Sequence, residues 1–193
     1  MKIIVLHGSP RKGKNTDTLA DYFLQGLSET VPSETKHFYT NEMNIRPCQG
    51  CLGCANASDK RCIIKDDMQE IYSDFIEADA IVFATPMYWG YITAQLKAVV
   101  DRMEALVMWD HFKGKTFIVL ITYRYHCQST VAFFERICKF FEVRLHVITC
   151  RTLDVETDKD IPISSCKEKL DEAFALGRSL GMSYQIPSTP AAI

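Results

Sequence analysis

Ile3-Ile4-Val5-Leu6-His7-Gly8-Ser9-Pro10-Arg11-Lys12-Gly13-Lys14-Asn15-Thr16 is an apolar run that breaks into a polar turn and then opens a helix. Its four apolar residues follow one another without polar alternation. That is the pattern of a strand covered on both faces, and so of a parallel sheet. From about Thr16 onward, Leu19, Phe23 and Leu27 recur at helical spacing. Between strand and helix lie backbone N–H groups, the hydroxyls of Ser9 and Thr16, the amide of Asn15 and the charge of Arg11. Donors converging on the positive end of a helix suit a phosphate. The turn falls after the first strand, the end at which doubly wound sheets bind their ligands. Neither GxxxxGK[ST] nor GxGxxG is present, so nucleoside triphosphatases and Rossmann dinucleotide sites both lose support.

The same alternation continues along the chain. Lys36–Thr40 reads as a weaker strand, and Asp66 is placed to cap a helix carrying Met68, Ile71, Phe75 and Ile76. Ala80–Thr85 is a strong strand, followed by a helix with Leu96, Val99, Val100, Met103 and Val107. Thr116–Ile121 precedes a helix with Phe134, Ile137 and Phe141, and Leu145–Thr149 is the last strand. A capping box from Ser165 to Glu168 opens the final helix, whose buried residues include Leu170, Ala173 and Phe174. Five strands alternating with five helices predict a three-layer, doubly wound α/β fold with a parallel sheet. A chain of 193 residues suffices for one such domain, expected over residues 1–186, with residues 187–193 as an aperiodic tail.

Composition narrows the partners. A net charge of −2 gives no electrostatic reason to expect nucleic acid or an anionic membrane. Met1–Leu6 is too short for a signal-peptide core, and no later segment approaches a membrane span, so a cytoplasmic protein is expected.

The turn after the third strand reads Ala84-Thr85-Pro86-Met87-Tyr88-Trp89-Gly90-Tyr91-Ile92-Thr93-Ala94-Gln95-Leu96-Lys97. Pro86 is expected to stiffen the turn, and Gly90 allows backbone to approach a ligand closely. Aromatics crowded at a loop tip must pack on something, whether ligand, protein or another subunit. Gly8-Ser9-Pro10-Arg11 with Asn15-Thr16, then Pro86-Met87-Tyr88-Trp89-Gly90, Ala94-Gln95-Leu96-Lys97 and Asp101-Arg102, resemble the NADPH-dependent FMN reductase group of flavodoxin-like proteins. Within that group the chain is most similar to the iron–sulfur flavoproteins. The resemblance covers residues 1–105; beyond them only the order of elements agrees. It implies the strand order 2-1-3-4-5, and FMN phosphate on Ser9, Arg11, Asn15 and Thr16. It further implies the isoalloxazine against Pro86, Met87, Tyr88, Trp89 and Gly90, and a homodimer or homotetramer with the flavin near a subunit interface. The loop after strand four, Thr122-Tyr123-Arg124-Tyr125-His126, should form the third wall, with Thr122 and Tyr123 at the cofactor.

Eight cysteines is a high count, and Cys48, Cys51, Cys54 and Cys62 cluster in the long connection of residues 41–65. Connections that long are usually functional or disordered. Two CxxC steps in tandem place three thiolates around one volume, and a fourth from a flexible loop can close the site. The choices are a [4Fe–4S] cluster, structural zinc, or free and redox-active thiols. The iron–sulfur flavoproteins resemble this loop in carrying a compact run of four cysteines. With a cluster, a ferredoxin-like donor would deliver single electrons to FMN. Without one, the flavin would take hydride from NAD(P)H and reduce a free flavin, quinone or metal ion. Either way the chemistry lies on the flavin and no residue need be a general acid or base. A one-electron carrier without small-molecule turnover, or a thiol and flavin redox sensor, are the alternatives. Cys127, Cys138, Cys150 and Cys166 are expected to pack as small hydrophobes. His7, His37, His111 and His146 are expected to be structural, with His126 the best placed for a role at the sheet's edge.

Overall fold

The amino-terminal apolar run forms β1 (Lys2–His7) in a computed structural model that describes residues 1–185. The other long strands are β2 (Glu34–Tyr39), β3 (Ala80–Tyr88), β4 (Thr116–Tyr123) and β5 (Arg144–Arg151). All run parallel in the order β2-β1-β3-β4-β5, the doubly wound order expected. The helices are α1 (Asn15–Ser28), α2 (Met68–Glu77), α3 (Ala94–Arg102), α4 (Gln128–Phe140) and α5 (Lys167–Gln185). Ile3, Val5, Val82 and Leu120 point to one side of the sheet, under Leu19 and Phe23 of α1 and Ala173 of α5. Ile4, Leu6, Phe83 and Val119 point to the other, under Phe75 of α2, Val99 of α3 and Phe134 of α4. Two buried faces explain why these strands carry unbroken apolar runs.

Several boundaries differ from the sequence reading. Pro86 lies inside β3, in register with Thr122, and does not start the turn. The strand continues to Tyr88 and doubles back, Met87 facing Ile92 and Tyr88 facing Tyr91. The helix bearing Leu96 ends at Arg102, and Glu104–Val107 forms a separate turn. Tyr72 Oη donates to the Arg102 carbonyl at 2.7 Å, which takes that acceptor out of the helical ladder. Ser165 sits in a 3-10 turn, Ile163–Ser165, and the carbonyl of Cys166 instead accepts from Lys169 and Leu170 at the start of α5. The tail expected at 187–193 lies outside the described residues.

Candidate cofactor site

The turn after β1 is held from three directions. Gly8 N–H donates to the Ala84 carbonyl (2.8 Å), and Thr93 Oγ1, capping α3, donates to the Gly8 carbonyl (2.7 Å). A Cβ on Gly8 would stand 3.0 Å from Thr93 Oγ1 and from Leu96 Cβ, so the close approach of β1's end to α3 favours glycine. Within the turn, Ser9 Oγ accepts from Arg11 N–H at 3.1 Å, and Asp17 Oδ2 accepts from Gly13 N–H at 2.7 Å. Asp17 is buried, and its other oxygen lies 2.8 Å from Nδ1 of the buried His7. His7 Nε2 is 2.9 Å from Nδ1 of His37, and the His7 ring stacks on Tyr39. The imidazole of His37 is held below its ordinary pKa by burial first and by His7 second. This Asp17–His7–His37 chain fixes the turn beneath the α1 amino terminus.

Above it opens a cleft of about 870 Å³ at the C-terminal ends of β1, β3 and β4. Ser9, Arg11, Asn15 and Thr16 line its α1 end; Pro86, Met87, Tyr88, Trp89 and Gly90 line one wall, and Thr122, Tyr123 and His126 another. Every flavin-site residue expected from the sequence thus faces one space. Trp89 and Gly90 have φ of 52° and 81°, the positive pair of a two-residue hairpin turn. Trp89 is fully exposed, an indole held in left-handed backbone over the cleft.

Arg124 and Tyr125, from the loop expected as the third wall, also line the cleft, as do Lys14, Thr152, Asp160, Ile161 and Pro162, which the sequence did not single out. They come largely from a small hairpin after β5 that pairs Leu153–Asp154 with Lys159–Asp160. The hairpin reaches the cleft because Arg124 contacts Asp158 and Asp160 (3.5 and 3.2 Å) and Tyr125 Oη donates to Asp158 (2.8 Å). No periodicity marks two-residue strands; the only sequence signal was alternating charge, Lys159-Asp160 against Arg124. Arg124 is neutralised by these carboxylates. Arg11 and Lys14 make no ion pair among the described residues, so positive charge is concentrated at the α1 end.

The cysteine loop is held by a narrow neck and packs on Met108 and Trp109. Arg102, wholly buried, donates from Nη1 to the Arg46 carbonyl and from Nη2 to the Ile64 carbonyl (2.8 and 3.3 Å). The same nitrogens grip both oxygens of Asp66 at 2.8 and 3.1 Å. One guanidinium therefore joins the two ends of the segment that carries all four cysteines. Burial alone would raise the Asp66 pKa; the Arg102 hydrogen bonds, with the Arg46 and Met68 amides, hold it below the ordinary carboxylate range. Cys54 and Cys62 are buried, while Cys48 and Cys51 are exposed. Cys54 Sγ contacts Met108 Sδ at 3.6 Å, and burial pushes its thiol up. Among the described residues, no three Cys, His, Asp or Glu side chains are gathered as a metal requires. The four thiols do not form a ligand set in this arrangement.

The profile of the NADPH-dependent FMN reductase family matches residues 1–158, and the chain belongs to that family. An iron-sulfur flavoprotein of Archaeoglobus fulgidus is 44% identical over 115 residues, covering 58% of this chain and 57% of the relative. An iron-sulfur flavoprotein of Methanosarcina thermophila is 40% identical over 106 residues, covering 55% and 54%. The chain thus spans little more than half the length of these curated relatives. Among solved structures, an NAD(P)H:quinone oxidoreductase from Methanothermobacter marburgensis superposes with a TM-score of 0.64 at 19% identity, over 93% of this chain and 96% of the other. That likeness is one of fold.

Proposed function

We infer that the cleft holds FMN and that the protein is an NAD(P)H-dependent flavin oxidoreductase. The observation that carries this reading is one cleft with a donor-rich helix terminus at one end and an aromatic hairpin at the other. Ser9, Arg11, Asn15 and Thr16 would hold the phosphate, where the free N–H groups of α1 and the charge of Arg11 favour a dianion. Pro86–Gly90, Thr122 and Tyr123 would hold the ring system. FMN held there would supply the redox chemistry between NAD(P)H and a quinone, a free flavin or a similar acceptor. The chain positions it: Asp17 and His7 brace the phosphate turn, and Trp89 covers the ring. Titration of cofactor-free protein with FMN and with riboflavin tests this. Binding of FMN at least tenfold tighter than riboflavin is expected, and failure to bind either overturns the reading. Steady NAD(P)H oxidation with a quinone separates an enzyme from a carrier or sensor.

A second reading concerns the cysteine loop. Cys62 is buried in the same core cluster as Tyr72, two residues before Ile64, whose carbonyl accepts from Arg102. The compact run of four thiols, together with similarity to proteins named iron-sulfur flavoproteins, favours iron–sulfur ligation once Cys48 and Cys51 join Cys54 and Cys62. Anaerobic reconstitution with iron and sulfide should give broad visible absorption that Cys51→Ala abolishes; colourless protein with no bound iron excludes it. Should a cluster assemble, a ferredoxin-like donor becomes the natural partner. A homodimer or homotetramer is also proposed: Val100, Val107, Phe133, Ile137 and Phe141 leave an apolar groove between α3 and α4, and sedimentation velocity reads the assembly directly. No described helix is long and apolar enough to cross a membrane. A cytoplasmic location is proposed because all eight cysteines are unpaired, as a reducing compartment maintains.

A further inference from the structure

Cys150 and Cys166 lie far from the cysteine loop, yet they meet. Cys150 is in β5, fully buried, in register with Thr122 of the cleft wall. Cys166 is half-buried at the start of α5, its backbone fixed because its carbonyl accepts from Lys169 and Leu170. Both thiols turn to one acceptor: Cys150 Sγ is 3.9 Å and Cys166 Sγ 3.5 Å from the Arg151 carbonyl oxygen. That shared oxygen brings the two sulfurs to one point, although they belong to different elements. Burial, reinforced by that neighbouring thiol, pushes Cys150 up to about 12, which leaves half-exposed Cys166 as the thiol that reacts first and makes loss of the Cys150 proton the slow part of closure.

The segment between the pair, residues 151–165, is the third wall of the cleft. It contributes Thr152, Asp160, Ile161 and Pro162 to the lining. It is held by non-covalent contacts alone: Thr152 N–H donates to the Tyr123 carbonyl (2.8 Å), Ile163 N–H to Asn15 Oδ1 (3.4 Å), and Asp158 and Asp160 pair with Arg124. A covalent bond between its two ends would remove chain freedom from this wall alone.

We propose that Cys150 and Cys166 are a dithiol site that a small-molecule disulfide oxidises to an intramolecular disulfide, fixing the third wall of the cleft. Cys166, the reachable sulfur, attacks one sulfur of glutathione disulfide and releases one glutathione thiolate. Cys150 then attacks Cys166 Sγ in the mixed disulfide and releases the second. Two S–H bonds are lost and one S–S bond forms; the two protons pass to the departing thiolates, and glutathione disulfide is reduced to two glutathiones. The site needs neither FMN nor a metal, so its test stands apart from the cofactor reading.

The full chain is treated with glutathione disulfide, alkylated in denaturant and digested with trypsin. The expected product joins residues 145–151 to residues 160–167, lighter by two hydrogens than the two peptides together. Closing a loop of about 15 residues should also raise Tm by about 5–10 °C, reversibly with dithiothreitol. Cys166→Ser, a change at a half-exposed position, should abolish both the linked peptide and the shift. Recovery of Cys150 and Cys166 as alkylated thiols while Cys48 or Cys51 is oxidised would overturn the proposal. An equal Tm rise in Cys166→Ser would do the same.

Discussion

At the scale of single residues, Asp17 and Trp89 show opposite relations between stability and function. Asp17 is a buried carboxylate whose two oxygens serve Gly13 N–H and His7 Nδ1. Asp17→Ala leaves both groups without a partner, which should cost about 2–3 kcal/mol in urea unfolding. FMN affinity should fall with it, since the phosphate turn loses its brace. Trp89 occupies left-handed backbone at φ 52° with its ring in solvent. A side chain other than asparagine or aspartate there costs roughly 1–2 kcal/mol, and the turn type prefers Asn-Gly. Trp89→Asn should therefore leave stability unchanged or raise it by up to about 1 kcal/mol, while FMN binding weakens roughly tenfold. A variant with unchanged FMN affinity would show that the indole covers something other than the flavin.

Between elements, two contacts decide how parts of the chain meet. Gly26 of α1 and Gly177 of α5 face each other so closely that a Cβ would stand 1.9 Å from the carbonyl oxygen of Phe174 or Phe23, respectively. Alanine gains about 1 kcal/mol in helix propensity but overpacks by about 3 kcal/mol. Gly177→Ala should thus destabilise by about 2 kcal/mol, read as a lower denaturation midpoint. The second contact is the neck of the cysteine loop. Arg102→Met strands the buried Asp66 carboxylate and should cost about 3–5 kcal/mol. In Arg102→Met, Cys54 and Cys62 should also react faster with a thiol reagent, because the loop ends separate. Addition of Asp66→Asn should cost less than the two single changes together; strict additivity would mean that the pair is not coupled.

For the molecule as a whole, pH reports how many groups the fold keeps in one protonation state. Burial holds His111 and His146 below the ordinary imidazole pKa, with Lys115 adding to it at His111 and Arg144 at His146. His111 Nε2 is buried without a partner, so a proton there would be an uncompensated charge. The unfolded chain takes up protons near pH 6.5, where the folded chain does not. Their contribution is therefore complete above about pH 6.5 and is lost as pH falls toward the depressed folded values. Asp66 acts lower: its contribution holds above the ordinary carboxylate pKa of about 3.9 and is lost as pH falls through its depressed folded value. Urea midpoints should decline from pH 7.5 to 5.5 and again below pH 4, and His111→Gln should flatten the first step. Equal midpoints at pH 7.5 and 5.5 would remove the histidine account.

The alternation of strands and helices was legible because it rests on local properties: unbroken apolar runs, helical spacing and turn residues. The same holds for the two cleft loops, since a strand that ends in donors or aromatics carries that chemistry wherever the sheet places it. Pro86 was read as a turn residue because its neighbours in the sheet are invisible along the chain; pairing with Thr122 absorbs it into β3. Tertiary structure alone joined Arg102 to Asp66, His7 to Asp17 and His37, and Cys150 to Cys166, and it alone separated the clustered cysteines into an exposed and a buried pair. Those contacts depend on which faces the helices present after packing, and no local pattern encodes that. The sequence determined a doubly wound sheet with a phosphate-suited turn and an aromatic hairpin at its C-terminal edge. The folded chain decided what braces that turn, what closes the third wall and how the cysteine loop is held, because each requires residues distant in sequence to arrive at one point.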